Sequence, residues 1–176
     1  MKELRLILGD QLNINHSWFT EVDSQIVYLM MEVKSEATRS PIHAQKLLGT
    51  FAAMRYFSAQ LVERGHQVEY LKIDESDNQQ SFSGNLEHQC QYHSAHSFFW
   101  QEPDSHYVDR ELSRFLKNSG LPGGSVSSEH FYEERDSLEL FMEKKKSWRM
   151  ESWYRHLRVK HDVLMSDAKP LGGGWN

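Results

Sequence analysis

Apolar residues in this chain fall in short runs that alternate with longer stretches of helical spacing. The first run, Leu4 with Leu6, Ile7 and Leu8, is nearly unbroken, which suits a strand covered on both faces. It predicts strand one over Glu3 to Leu8. A polar loop, Asn13 to Asp23, follows, with Trp18 and Phe19 as its anchors to the core. The second run, Gln25 to Met31, is rich in apolar and β-branched residues and predicts strand two. A polar cluster, Glu32 to Thr38, lies past its end.

Ser40-Pro41 has the form of a helix start, with serine as cap and proline in the first helical position. Leu47, Phe51, Met54, Phe57 and Leu61 recur at helical spacing as far as Arg64, where Gly65 supplies the stop. Val68 to Ile73 predicts strand three and Asp74 to Gly84 a polar loop. Asn85 to Ser94 reads as a helix, and Ser97 to Trp100 as strand four, ending in Gln101-Glu102-Pro103. Asp109 to Lys117 reads as a helix closed by Gly120, and Ser125 to Ser128 as strand five. Asp136 to Lys145 and Met150 to Met165 read as helices. Pro170 to Asn176 reads as loop, because a proline and three glycines support neither helix nor strand.

Strands alternating with helices predict an α/β fold: a doubly wound, Rossmann-like five-stranded parallel sheet with C-terminal helices. Right-handed crossovers leave few topologies, and the order 3-2-1-4-5 puts strand one at the centre. Residues 1–135 would form the α/β domain and 136–176 a helical tail. In that order the ends of strands one and two lie side by side. Asp10, Gln11, Glu32 and Glu36 then face one crevice, at the carboxyl ends of the strands where open sheets bind ligands.

Composition narrows the classes. With 39% hydrophobic and 26% charged residues, neither disorder nor a membrane class is indicated. A single cysteine, Cys90, excludes an internal disulfide and a multi-cysteine metal or iron–sulfur site within these 176 residues. With no signal-peptide layout at the N-terminus, a cytoplasmic location is expected. The formal charge of -5 does not fit a strongly basic nucleic-acid-binding domain. The basic cluster Lys144-Lys145-Lys146, with Arg149, Arg155, Arg158 and Lys160 beyond it, reads as a solvated helix face.

Candidate chemistry centres on Leu6-Ile7-Leu8-Gly9-Asp10-Gln11-Leu12. Gly9 lets the backbone turn or approach a ligand closely, and Asp10 and Gln11 follow it. No G-x-G-x-x-G, P-loop or G-x-S-x-G signature is present. Carboxylates at Asp10 and Glu36 repel phosphate and suit hydrogen-bond donors such as sugar hydroxyls or ring N–H groups. A phosphate-free polyol or heterocycle is the expected ligand. His43 and Lys46 lie near the same crevice; His43 is a candidate donor, and Lys46 a candidate partner for Glu32 or Glu36. His88, His93 and His96 lack a third ligand and an H-E-x-x-H order, so no metal is expected. Cys90 reads as a small core residue.

Three segments carry a family resemblance: Leu8-Gly9-Asp10-Gln11-Leu12, Met31-Glu32-Val33-Lys34-Ser35-Glu36-Ala37 and Ala53-Met54-Arg55-Tyr56-Phe57. With Asp74, Asn78, Ser81-Phe82-Ser83-Gly84, Glu102-Pro103, Met150-Glu151, Trp153-Tyr154-Arg155 and Lys169 to Asn176, they resemble bacterial photolyase-related proteins. These form the branch of the cryptochrome/photolyase family that includes the iron–sulfur (6-4) photolyases. The resemblance runs in order over essentially the whole chain.

The resemblance implies an N-terminal antenna domain. Such a domain holds a light-harvesting chromophore, typically 6,7-dimethyl-8-ribityllumazine, which passes excitation energy to FAD in a following helical domain. It also implies site residues: Gly9, Asp10 and Gln11 lining the pocket, Glu36 meeting the chromophore, Met31 and Glu32 flanking it, and Lys46 nearby. In the family the chain continues into the FAD domain, which carries the cluster cysteines. This sequence stops at Asn176, so a fragment or truncated product without catalytic residues is expected. FAD, the iron–sulfur cluster and DNA are expected only with a full-length parent. The other reading is a stand-alone module for a nucleotide-like or flavin-like ligand. Trp153, Tyr154, Leu157 and Trp175 would be exposed without a partner domain, which favours association.

Overall fold

Five strands pair in parallel: β1 (Lys2–Leu6), β2 (Ile26–Met31), β3 (Gln67–Leu71), β4 (Ala95–Gln101) and β5 (Gly123–Val126). Their order is β3-β2-β1-β4-β5, the predicted one, with β1 at the centre. The structure is a computed structural model that describes residues 1–143, 145 and 147–175. Between the strands run α1 (Lys34–Ala37), α2 (Ala44–Glu63), α3 (Phe82–Tyr92) and α4 (His106–Ser119).

The aliphatic runs explain the layers. Leu4, Leu6, Val27, Leu29, Phe98 and Trp100 form one face of the sheet and pack on Phe82 and Leu86 of α3 and Val108, Leu112 and Phe115 of α4. Ile7, Tyr28 and Met30 form the other face, against Met54, Phe57 and Leu61 of α2 and Phe19 of the loop. The sheet is thus covered on both sides: β2 is apolar throughout, whereas in β1 Glu3 and Arg5 alternate with Leu4 and Leu6 and are half-buried.

The chain divides into two compact units, Met1–His130 and Phe131–Asn176. In the second, α5 (Ser137–Glu143) and α6 (Met150–Lys160) precede a two-stranded antiparallel hairpin, β6 (Met165–Ser166) and β7 (Lys169–Pro170). Lys144, Lys146 and Asn176, which belong to the predicted basic cluster and tail, lie outside the described residues. Among the described residues no helix is long and apolar enough to cross a membrane.

Several boundaries depart from the sequence expectation. The helix expected at Ser40-Pro41 begins at Ala44, with His43 as its cap and His43 Nδ1 accepting the Gln45 N–H at 3.3 Å. Pro41 to His43 stay outside the helix, and Ile42 lines the cavity described below. Helix α3 begins at Phe82, three residues early, because Ser81 Oγ accepts the Gly84 N–H and caps it. It ends at Tyr92, with His93 as its C-cap and β4 starting at Ala95, so His93 and His96 do not share a helix face.

Strand β5 starts at Gly123 rather than Ser125. A Cβ at Gly123 would lie 1.7 Å from the Phe98 carbonyl oxygen, and its φ is 150°, so only glycine permits this close pairing. Helix α6 ends at Lys160, short of Met165. There the Arg158 guanidinium donates to the Val163 and Leu164 carbonyls, while Asp162 and Leu164 take positive φ. The expected C-terminal loop includes a hairpin: Asp167 and Ala168, at φ 49° and 60°, turn the chain so that Met165 pairs with Pro170.

Candidate functional site

A cavity of about 310 Å³ opens at the carboxyl ends of β1 and β2. Leu8, Gly9 and Asp10 reach it from the loop after β1. Met31 closes β2, and Val33, Glu36 and Ala37 come from the turn into α1. The first half of α2 supplies Lys46, Leu47, Thr50, Phe51 and Met54, and the far wall is Phe82, Pro103, Ser105 and Val108. The volume lies at the small end of ligand sites. Apolar walls with a few polar groups at the edge suit a flat heterocycle.

Five of the seven residues singled out from the sequence line this cavity: Gly9, Asp10, Met31, Glu36 and Lys46. Gly9 is there for space. A Cβ would meet Met54 Sδ and Thr50 Cγ2, each at 3.0 Å, so the glycine lets α2 pack close to the end of β1.

Gln11 and Glu32 are adjacent but spent on structure. Gln11 is 2% exposed; its Oε1 accepts the Leu8 N–H at 3.0 Å. Its Nε2 donates to the Gln101 and Glu102 carbonyls, each at 3.1 Å. It therefore staples the β1 loop to the end of β4. Glu32 is fully buried and accepts Nε and Nη2 of Arg55 at 2.6 and 2.8 Å, Tyr70 Oη–H at 2.7 Å and the Ile73 N–H at 3.0 Å. Burial alone would raise its carboxyl pKa; the bonds from Arg55, Tyr70 and Ile73 outweigh it and hold the pKa below the ordinary value. The same network raises the Arg55 pKa, chiefly through the Glu32 bond. This cluster fixes α2 and β3 to the end of β2, so it shapes the cavity without facing it.

Unlike Glu32, the two carboxylates at the cavity are held above their ordinary pKa values. Burial is the main cause raising the Asp10 pKa, and the Asp104 charge adds to it, against a backbone hydrogen bond and His130. Asp10 remains open to solvent at the rim, so water screens much of this effect. Burial also raises Glu36; Arg39 opposes this, while Glu111 and Asp10 reinforce it. Asp10 and Glu36 thus repel one another across the site. Arg39 forms an ion pair with Glu36 Oε1. Lys46 pairs with neither predicted glutamate, since Glu32 is taken by Arg55 and Glu36 by Arg39. It stays exposed at the rim. His43, a candidate donor, is the helix cap.

Sequence reasoning missed Thr50, Ser105, Pro103 and Val108 as wall residues. It assigned Leu47, Phe51 and Met54 to the helix's core face. A signal existed for the last three, because they lie in the half of α2 nearest the strand ends.

A Rossmann-like sheet with a polar-edged cavity past its central strands is the arrangement in which open α/β sheets bind ligands. The model of the deoxyribodipyrimidine photo-lyase-related protein family matches residues 5–176, and the chain belongs to that family. It is also 32% identical, over 177 aligned residues and its whole length, to a (6-4) photolyase of Agrobacterium fabrum strain C58. The chain spans 35% of that relative's length.

Proposed function

We propose that this chain is the antenna module of a photolyase-related flavoprotein, and that its cavity holds a ribityl-bearing heterocycle such as 6,7-dimethyl-8-ribityllumazine. The observation that carries the reading is the pair Asp10 and Glu36 on a cavity whose walls are largely apolar, with Lys46 at its rim. Carboxylates at the edge of such a cavity accept hydrogen bonds from a ligand's hydroxyls or ring N–H groups. The residues fit the group: Met31, Phe51, Met54 and Phe82 would enclose the ring, and Asp10, Glu36 and Lys46 would take its donors and acceptors. When bound, the chromophore would supply near-ultraviolet or blue absorption and pass the energy on.

The chain's own work is to bind, exclude water and fix orientation. Gln11 and the Glu32–Arg55–Tyr70 cluster hold the walls in register for this. FAD as the energy acceptor, an iron–sulfur cluster and DNA as substrate belong, in this reading, to a parent protein with a following FAD domain. The gently purified chain should carry a near-ultraviolet or blue absorption band, or gain one on reconstitution with ribityllumazine followed by gel filtration. A colourless protein that retains no lumazine through the column would overturn the reading.

A further inference from the structure

Strand β3 stands at one edge of the sheet, and a depression of about 270 Å³ lies between it, the loop that follows and α3. Its carboxylates are Glu69 of the strand and Glu75 and Asp77 of the loop, and no lysine or arginine lines it. Counted with their partners, these leave two negative charges. Glu75 is taken by Lys72: it accepts the Lys72 N–H at 3.0 Å and pairs with Lys72 Nζ at 3.8 Å. Lys2, which like Glu69 acts electrostatically on His93, is held by the Ser24 carbonyl and Gln67 Oε1 and lies outside the lining. Among the described residues the Asp77 carboxylate accepts only the Ser76 hydroxyl, at 3.3 Å, and Glu69 makes no hydrogen bond or ion pair.

A second feature is independent of that charge. Gln89 of α3 also lines the depression and is only 3% exposed, and its Oε1 is buried with no donor among the described residues. An amide oxygen left so is costly, and a donor brought from outside relieves the cost. The carboxylates do not converge on a point: among the described residues no three metal-ligating side chains stand close enough to hold one ion. A single divalent cation is therefore a poor match, whereas a chain with separate ammonium groups reaches the carboxylates one by one. Leu71 and the exposed ring of Tyr92, both in the lining, offer apolar surface for methylenes and, at the ring, a face for a cation.

We propose that this depression is a binding site for an aliphatic diamine or polyamine. Glu69 holds one ammonium and Asp77 another, through charge-assisted hydrogen bonds. Gln89 Oε1 accepts a further N–H, and the methylenes lie on Leu71 and Tyr92. The site is separate from the cavity at the ends of β1 and β2, with which it shares no lining residue, so neither depends on the other.

Putrescine is titrated calorimetrically into the full chain, with butylamine and magnesium chloride at matched ionic strength as controls. Putrescine should bind saturably and about tenfold more tightly than butylamine, because its first ammonium delivers the second. The double variant Glu69→Gln/Asp77→Asn should lose that preference. Gln89→Leu removes the acceptor without leaving a buried polar atom behind. It should bind putrescine about fivefold more weakly while its thermal midpoint stays the same or rises, a combination that a merely structural role for the amide would not give. The proposal is overturned if putrescine binds no more tightly than butylamine or gives the same response as magnesium chloride. It is equally overturned if either variant leaves the putrescine affinity unchanged.

Discussion

Arg55 grips Glu32 through two parallel hydrogen bonds, Nε to Oε1 and Nη2 to Oε2, although the two residues come from α2 and the end of β2. Glu32 is fully buried while the Arg55 side chain is 47% exposed. The pair is thus a tether from surface to core, and it sets how α2 lies over the cavity. Replacing Arg55 by Met leaves a buried carboxylate with only Tyr70 and Ile73 as donors. The expected loss of stability is about 2–3 kcal/mol, below the ~3–5 kcal/mol for fully buried pairs because Arg55 is half in water. Urea denaturation near neutral pH measures it.

The pH dependence of that loss has a definite sign. The Glu32 pKa is lowered from its ordinary 4.5 in the folded chain. Its stabilising contribution is therefore present above the ordinary value and disappears as pH falls through the lowered one. The difference between the parent chain and Arg55→Met should be largest near neutral pH and narrow in acid. A constant difference down to the acid unfolding region would contradict the role given to this carboxylate.

Asp10 and Glu36 carry the opposite sign. Their pKa values are raised from 3.8 and 4.5, so the folded chain favours their neutral forms. Their contribution to stability is present below those ordinary values and lost as pH rises through the raised ones. Asp10→Asn and Glu36→Gln should each raise the thermal midpoint near neutral pH by about 1–2 °C. That gain should vanish in acid. The same variants should bind ribityllumazine more weakly, a trade of ligand affinity against stability that functional sites commonly show.

Gly9 is set by space. Gly9→Ala places a methyl 3.0 Å from Met54 Sδ and Thr50 Cγ2. The methionine can swing aside and the β-branched threonine has less freedom, so α2 must shift or the cavity narrow. A stability cost of about 1 kcal/mol is expected, with a larger effect on ligand affinity. Gly9→Ala with Thr50→Ser, which removes the clashing Cγ2, should restore part of that affinity. If Gly9→Ala bound ligand as well as the parent, the glycine would have no role in the cavity.

Gln11 separates a positioning role from a ligand role. Gln11→Ala removes three hydrogen bonds and strands the Leu8 N–H beside two carbonyls. A destabilisation of about 2–3 kcal/mol is expected from buried groups left unpaired. Hydrogen exchange should quicken at the Leu8 amide. Protection at Leu8 equal to that of the parent would show that the staple is not needed.

Much of the fold was legible because apolar residues dominate the runs around the central strands. Leu4 to Leu8, broken only by Arg5, and Ile26 to Met31 have the form of strands, and right-handed crossovers leave few orders for them. Gly9, Asp10 and Glu36 were legible as cavity residues because they sit just past strand ends, whereas Met31 was implied only by the family resemblance. Gln11 and Glu32 carry the same local signature, yet their partners are far along the chain. Arg55 and Tyr70 are 23 and 38 residues from Glu32, and the backbone acceptors of Gln11 are 90 and 91 residues away. No local pattern tells a side chain aimed at a ligand from one aimed at distant backbone. Helix α1 was hidden because four residues are too few for a helical period. Strand β5 was displaced because Gly123 reads as a turn residue while serving a close contact.

The central claim is that Asp10 and Glu36 make this cavity a site for a ribityl-bearing ring. Its most direct test is a spectroscopic titration of the full chain with 6,7-dimethyl-8-ribityllumazine, run in parallel on Asp10→Ala and Glu36→Ala. The account predicts saturable binding at one lumazine per chain, with affinity reduced about tenfold or more in each variant, the weight of one charge-assisted hydrogen bond. Absence of saturable binding, or binding unchanged in both variants, would contradict it.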